Sequence, residues 1–410
     1  MHRFVRRSLF VLTGLMLAAA VTDVASYDAK PWLADYARLK RDMAQGYANL
    51  DWMVERRGLD LVALDRDTSA ALQGAHSHVR AFLALRRFTR AFADPHLRLV
   101  PGERSDAAPT TDSAASSAAT AAAEEIDPPA GKDCGAAGYE EGEHAFQFPF
   151  ASMAGWTPLQ GGDFPTGLLG DVGVLRIAQF GEDQYAGACA QVFRAGIGTQ
   201  ALKLAVRELQ QRRLVQAIRE LQRRGARRLL VDVSGNGGGT EWVTEVVALL
   251  TDRALARAEP RLLAPRCDRS AIWRGAPAPC PVLQAGAGRA SLQGTGAWIG
   301  PVLILADRRT GSASEDFIAW LQQNRVATVL GETTAGAGCG YVDGGSRTQL
   351  AVAPFDVRMP NCARFLDDGT NEIEGLRPDV ALPMQSSDAA EKARALQAAL
   401  EADNGQRRAP

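Results

Sequence analysis

The chain has 410 residues, of which 46% are hydrophobic and 23% charged, which fits a globular protein with one large core and a smaller one. Its formal net charge is −1. That balance excludes the strong basic excess of many nucleic-acid-binding proteins and the acidic excess of a polyanionic chain.

Residues 1–26 predict a signal peptide. Arg3, Arg6 and Arg7 precede an apolar run over residues 9–21, and small residues follow it. A positive start, a short apolar run and small residues near a cleavage site are typical of a secretory peptide, and the alternative is an uncleaved anchor helix. We therefore expect a periplasmic or secreted mature protein.

Residues 27–100 predict a small N-terminal helical domain. Apolar residues recur at helical spacing from Trp32 to Leu50, and a second helical stretch covers residues 67–92. Residues 101–133 then predict a low-complexity linker, because Ser113–Ala123 is almost entirely alanine and serine and offers little apolar surface to bury.

Strands and helices alternate within residues 134–385, which predicts a largely parallel α/β core. A Pro-, Arg- and Gly-rich insertion at residues 252–297 interrupts it, and residues 386–410 form a C-terminal helix and tail. The predicted elements are a strand at 172–180, a long helix ending at Gly225, a strand at 228–233, a helix at 240–250, a strand at 301–306, a helix at 312–324 and a strand at 326–330.

Six cysteines follow the predicted signal peptide, and an even count in an exported protein favours disulfides. No Cys-x-x-Cys pair occurs, which argues against zinc-ribbon and redox-dithiol sites. Cys267–Cys280 and Cys339–Cys362 are candidate local bridges, which leaves Cys134–Cys189 as a longer one. Six cysteines allow fifteen connectivities, so other pairings stay open.

Two segments at strand–helix junctions are candidates for chemistry. The first is Thr310–Glu315, where a serine hydroxyl and the N–H groups of a helix N-terminus come together. Its alternative interpretation is a helix cap, with Ser312 or Ser314 as the cap and Glu315 completing a capping box. The second is the glycine-rich Ser234–Gly239, which suits an oxyanion loop, a phosphate loop or an ordinary glycine turn.

Together these segments resemble the C-terminal processing (tail-specific, S41) peptidases. The family sequence Asp-Leu-Arg-x-Asn-x-Gly-Gly is matched by residues 232–239, Ser-Ala-Ser-Glu by 312–315 and Gly-Glu-x-Thr-x-Gly by 331–336. The closing Glu-Gly-x-Gly-x-x-Pro-Asp is matched by residues 374–379, shortened and without the second glycine. The resemblance covers about residues 170–385 and implies an α/β fold with the ClpP/crotonase-like ββα core of these peptidases.

The resemblance implies that Ser312 is the nucleophile. The backbone N–H groups of Ala313 and Gly238 would form the oxyanion hole, with Gly237 as the alternative to Gly238. Many members of the family use a lysine as general base in a Gly-Lys-Gly segment. This chain has Gly-Ala-Gly at residues 336–338, and its only later lysine lies near the C-terminus, so a Ser–Lys dyad is not expected.

A second branch, resembling the tricorn-type peptidases, uses serine, histidine and glutamate. Its base lies before the catalytic core in a Leu-x-Asp-x-His-Thr segment, which residues 94–96 match with His96 as the base. Pro95 stands where that branch has a polar helper residue. Glu374 would orient the imidazole, and Glu372 is its nearby rival. Imidazole titrates near neutrality and can therefore activate a serine.

The other histidines after the signal peptide are weaker candidates. His76 and His78 lie in a helical pattern and are expected at the surface, and a lone His96 would be interpreted as a histidine packed near a loop. His144 follows Glu140, Glu141 and Glu143, an acidic run more typical of a solvated surface than of a metal site.

The predicted function is that of an exported serine endopeptidase with an acyl-enzyme intermediate and a peptide or unfolded protein as substrate. It requires no metal or organic cofactor, and nucleic acid is not expected as a partner. Two alternatives remain: a non-catalytic ligand- or peptide-binding protein on the same fold, and an esterase for small substrates. No PDZ module is recognisable, so capture of a free C-terminus is not expected, whereas an extended peptide could add to a sheet edge.

Overall fold

The computed structural model describes residues 22–102, 127–286 and 288–408. Most of the predicted signal peptide and the Ala- and Ser-rich part of the predicted linker lie outside these ranges. Among the described residues, no helix is both long enough and apolar enough to cross a membrane.

Nine α-helices and fourteen strands lie wholly within the described ranges, numbered in chain order. The helices are α1 (Ala29–Gly46), α2 (Leu50–Glu55), α3 (Leu61–Gln73), α4 (His78–Ala91), α5 (Ala186–Val192), α6 (Thr199–Arg223), α7 (Val243–Leu249), α8 (Ala313–Gln323) and α9 (Ala389–Arg408). The strands are β1 (Arg98–Pro101), β2 (Trp156–Gln160), β3 (Thr166–Leu169), β4 (Val172–Arg176), β5 (Arg228–Asp232), β6 (Ala254–Ala258), β7 (Arg261–Leu262), β8 (Arg289–Gln293), β9 (Val302–Ala306), β10 (Ala327–Gly331), β11 (Ser346–Gln349), β12 (Phe355–Met359), β13 (Cys362–Ala363) and β14 (Val380–Ala381).

These elements belong to two compact units. The first unit combines the N-terminal part of the chain with Pro260–Gly286 and Gly340–Ala363, and the second unit contains the remainder. Part of the predicted insertion therefore belongs to the first unit.

The first unit carries α1–α4 and two small antiparallel sheets, with strand order β1-β12-β11 in one and β13-β7 in the other. The apolar face predicted for α1 is buried, with Trp32 and Met43 each at most 1% exposed. The predicted helical stretch at 67–92 is in fact divided, because α3 ends at Gln73 and α4 begins at His78. The residue before α4 is its N-cap Ser77, whose side chain accepts from the N–H of Arg80.

The second unit is built on a seven-stranded sheet of order β14-β10-β9-β5-β4-β3-β2. The strands from β14 to β4 are parallel, and β3 and β2 complete the sheet as antiparallel neighbours. The prediction of an α/β fold with a largely parallel core is confirmed, and the antiparallel hairpin makes the sheet mixed.

The central strands of this sheet are buried along their whole length, since every residue of β4, β5 and β9 is buried. Continuous apolar runs of this kind are typical of parallel strands covered on both faces. Because the carboxyl ends of parallel strands meet at one edge, the loops after β5, β9 and β10 lie along the same edge of the sheet.

Two of the predicted disulfides are confirmed, Cys134–Cys189 in the second unit and Cys267–Cys280 in the first. Cys339 and Cys362 are disulfide-bonded as well, and no cysteine is free among the described residues. Three disulfides are typical of a protein that matures in an oxidising, extracytoplasmic compartment.

Candidate active site

Ser312 lies on the sharp turn between β9 and α8, where it is half-buried. Its backbone has φ 56° and ψ −118°, a conformation that costs a residue with a side chain about 1–3 kcal/mol. Some hydrolases hold their nucleophilic serine on a strained strand–helix turn of this kind. The sequence predicted the position of this serine but not its backbone conformation.

Ser312 does more than cap α8. An ordinary cap residue has an extended backbone, which Ser312 lacks. The predicted capping box is nevertheless present, and in it Glu315 Oε2 accepts the N–H of Ser312 at 2.9 Å.

Gly238 lies directly against Ser312. A Cβ placed on it would be 2.7 Å from Ser312 Cβ and 2.8 Å from the nitrogen of Ala313, and its φ of 113° also requires glycine. The N–H of Ala313 meets no hydrogen-bond acceptor among the described residues. Ala313 and Gly238 are therefore neighbours, as expected for an oxyanion hole.

The N–H of Gly238 itself donates to Asn236 Oδ1 at 2.9 Å. Asn236 also accepts the N–H of Gly311 on its backbone oxygen at 3.0 Å and donates from Nδ2 to Ile177. It thus ties the glycine loop to the turn of the nucleophile. Gly237 is exposed, and its N–H has no acceptor within the described ranges. Of the two candidate donors of the glycine loop, Gly237 is therefore the one whose N–H makes no hydrogen bond.

Glu315 is fully buried near Ser312, and both of its carboxylate oxygens accept hydrogen bonds. Its Oε1 accepts the Thr334 hydroxyl at 2.5 Å and the N–H of Gly336 at 2.7 Å. Besides the N–H of Ser312, its Oε2 accepts those of Ala337 at 2.9 Å and Gly338 at 3.1 Å. One carboxylate therefore binds both Ser312 and the connection after β10.

A second set of buried charges, a chain of ion pairs, also reaches Ser312. Glu372 is fully buried and pairs with Arg257 through Oε1 and with Arg364 through Oε2. Arg364 also donates to the carbonyl oxygen of Ser312 at 3.0 Å and to that of Gly338 at 2.9 Å. Burial opposes ionisation of Glu372, but the two arginines prevail and lower its pKa.

Glu374 lies at the exposed end of the short 3-10 turn that contains Glu372. The two rival carboxylates therefore differ in surroundings. Sequence reasoning did not find Arg257 or Arg364, because no local pattern marks an arginine whose partners lie far along the chain.

His96 belongs to the first unit, half-buried on the loop before β1. Its N–H donates to Asp94 Oδ1 at 2.9 Å, and its carbonyl oxygen accepts the hydroxyl of Tyr341 at 2.5 Å. A Cβ on Gly340 would lie 2.9 Å from His96 Nε2, so only glycine fits beside this ring. Asp94 is buried, which raises its pKa, and accepts from Tyr47 and Asn49.

The remaining histidines also have definite places. His76 is exposed as expected, whereas His78 is partly buried and accepts from Trp32 Nε1 at 3.0 Å. His144 is buried, contrary to the solvated position expected from its acidic neighbours, because its ring stacks on Tyr185.

Two solved structures match almost the whole chain. A candidate peptidase from Parabacteroides merdae ATCC 43184 has 15% sequence identity and a TM-score of 0.56, over 90% of this chain and 95% of its own. Mature CPAF has 14% identity and a TM-score of 0.56, over 90% and 95% of the two chains. At such identities these similarities show a shared fold. No curated protein matches the sequence significantly.

The sequence itself carries the assignment. The model of peptidase family S41 matches residues 171–382, just over half of the chain, and includes the glycine loop and the nucleophile turn. The chain therefore belongs to peptidase family S41 and is a serine-type peptidase.

Proposed function

We propose that this chain is an exported endopeptidase that hydrolyses peptide bonds through an acyl-enzyme on Ser312. The observation that carries the proposal is the strained turn of Ser312, with the unengaged N–H of Ala313 beside it. The predicted signal peptide and the three disulfides support export.

His96 is the proposed general base. The family's usual lysine is replaced by Ala337, whose side chain cannot accept a proton. The backbone N–H of His96 is held by Asp94 and its carbonyl oxygen by Tyr341, so the position of its Cα is fixed. Imidazole is suited to take the serine proton near neutral pH and to return it to the leaving amine.

Glu374 is the proposed partner of the imidazole. Both oxygens of its rival, Glu372, already bind arginines, and those charges make Glu372 a poor acceptor for a further proton donor. Glu372 instead holds Arg364 on the carbonyl of Ser312.

The proposed reaction has two halves. Ser312 Oγ attacks the peptide carbonyl while His96 takes its proton, and the oxyanion accepts from the N–H groups of Ala313 and the glycine loop. His96 then protonates the leaving amine and the C–N bond breaks. In the second half His96 removes a proton from water, which attacks the ester, and Ser312 regains its proton as the acid product leaves.

The glycine loop has two candidate donors, Gly238 and Gly237. The N–H of Gly238 becomes available only if Asn236 releases it, whereas the N–H of Gly237 is already exposed. We therefore place Gly238 at the hole through its contact with Ser312 and keep Gly237 as the alternative donor.

The experiment is hydrolysis of an unfolded protein by the purified mature chain beside Ser312→Ala and His96→Ala. We expect both variants to lose at least about 10³-fold in kcat/KM while staying folded. Ser314→Ala is the matched control, because this neighbouring buried hydroxyl has no hydrogen-bond partner in the described part of the chain. Glu374→Gln should lower kcat, whereas Glu372→Gln should lower stability as well.

The outcomes separate the alternatives. If the parent cleaves small esters but no protein, the esterase alternative replaces the endopeptidase. If it cleaves neither, a binding function on this fold takes its place. If only Ser312→Ala is inactive, the nucleophile stands and another residue is the base.

A further inference from the structure

His144 is a buried histidine whose ring nitrogens make no hydrogen bond in the described part of the chain. It is 8% exposed, and neither Nδ1 nor Nε2 makes a hydrogen bond to any residue that the structure describes. The ring is held by stacking on Tyr185, with centroids 4.7 Å apart and planes inclined by 10°. A neutral imidazole has one donor and one acceptor, and each costs about 1–3 kcal/mol when buried without a partner.

Two carboxylates converge on this ring. One ligand atom each from Glu141, His144 and Asp163 lie within 4.8 Å of one another. Glu141 Oε1 is 3.4 Å from His144 Nε2, and Asp163 comes from the loop between β2 and β3. Ligand atoms around a tetrahedral zinc ion lie about 3.4 Å apart, since each Zn–N or Zn–O bond is about 2.0–2.2 Å. The Glu141–His144 separation already fits, and Asp163 would have to move closer by at most about 1.4 Å.

Each carboxylate is already oriented by neighbours that would form an outer shell. Glu141 Oε2 accepts the N–H of Gly187 at 3.0 Å, which turns Oε1 towards the histidine. Asp163 Oδ2 accepts from Gln210 Nε2 at 2.8 Å and pairs with Arg213, which leaves Oδ1 for a ligand. Such supporting hydrogen bonds are a regular feature of protein metal sites.

The surroundings favour a cation. Glu141 and Asp163 bring two carboxylates to the ring, and Arg213 offsets one of them through its ion pair with Asp163. Asp163 also lines a surface cleft of about 370 Å³.

We propose that Glu141, His144 and Asp163 bind one divalent zinc ion, which fastens the segment before β2 to the β2–β3 loop. An imidazole nitrogen with two carboxylates suits zinc, whereas calcium and magnesium prefer sites made of oxygen alone. With three protein ligands, the fourth position would be open to water. The role is structural and does not depend on the peptidase mechanism.

The test is a calorimetric titration of the chelator-treated full chain with Zn²⁺, together with a thermal unfolding scan. We expect one equivalent of zinc and a rise in Tm with zinc concentration. Glu141→Gln and Asp163→Asn should each weaken binding at least tenfold. His144→Phe keeps the stacked ring and removes both nitrogens. Glu143→Gln is the matched control and should bind like the parent.

Three results would overturn the proposal: no zinc bound by the parent, zinc affinity unchanged in all three ligand variants, or Mg²⁺ or Ca²⁺ bound as tightly as Zn²⁺. The side chain of Glu141 is 54% exposed, so Glu141→Gln should fold and decide the question even if the other variants do not.

Discussion

Replacing Glu315 by glutamine tests the hydrogen-bonded centre of the site. The change keeps the size of the side chain but leaves one acceptor oxygen in place of two. If that oxygen serves the Oε2 partners, the new amide group faces the N–H of Gly336, which loses its acceptor, while the Thr334 hydroxyl can rotate. In the opposite orientation three N–H groups lose their acceptor, those of Ser312, Ala337 and Gly338.

The magnitude follows from the milder orientation. A hydrogen bond to a charged group contributes about 1.5–3 kcal/mol, so the loss of one or two costs about 2–5 kcal/mol. The cost falls on the loop and on the nucleophile together, because the same carboxylate binds both. We therefore expect faster amide exchange over residues 334–338 and a lower kcat with little change in KM.

The assay is hydrogen exchange followed by mass spectrometry, beside steady-state kinetics on a peptide substrate. Glu332→Gln is the matched control, since its carboxylate lies on the same connection and accepts a hydrogen bond from the exposed Gln385. The reasoning is wrong if Glu315→Gln exchanges and turns over like the parent. It is also wrong if exchange rises equally across the sheet, since that would indicate global destabilisation.

Three further predictions concern the glycine loop, the buried ion pairs and a disulfide. Gly238→Ala places a methyl group 2.7 Å from the Cβ of Ser312 and should lower kcat at least about 10²-fold. Gly237→Ala has open space around it and should keep kcat if its N–H remains in place. Equal kcat values for the two variants would contradict this prediction. Because the pKa of Glu372 is lowered in the folded state, its ionised form stabilises the fold above about pH 4.3, and this contribution is lost as pH falls through the folded-state pKa. Glu372→Gln should therefore be about 3–5 kcal/mol less stable than the parent at pH 7, and its stability should depend less on pH in acid. Unfolding at several pH values measures both, and parallel curves of stability against pH would refute the assignment. Replacing Cys134 and Cys189 by serine removes a disulfide that joins residues 55 apart in the chain. The free energy of unfolding, measured in urea, should fall by about 4 kcal/mol. An unchanged urea midpoint would exclude that value.

Sequence reasoning found what has a local signature. Continuous apolar runs located β5, β9 and β10 to within about two residues, and the residues between strand and helix located Ser312. It did not find the partners of Glu315, because hydrogen bonds to a loop some twenty residues away leave no local pattern. His144 was misplaced for a related reason, since its acidic neighbours in sequence say nothing of the aromatic ring that buries it.

Arginines show the same limit. Arg257 and Arg364 reach one buried carboxylate from segments far apart in the chain, and only the fold brings them together. A guanidinium can bind a carboxylate and two carbonyl oxygens at once, as Arg364 does, which a lysine ammonium at the end of a flexible stem cannot reproduce with fixed geometry.

The hydrogen bonds between Glu315 and the connection after β10 have a consequence for how such enzymes diversify. The connection is held through its main-chain N–H groups, so the identity of the side chain at position 337 contributes nothing to that hold. The general base could therefore change at position 337, or move to another part of the chain, without loss of the hydrogen bonds around Ser312. The same backbone could then support two different general bases for the same proton transfer.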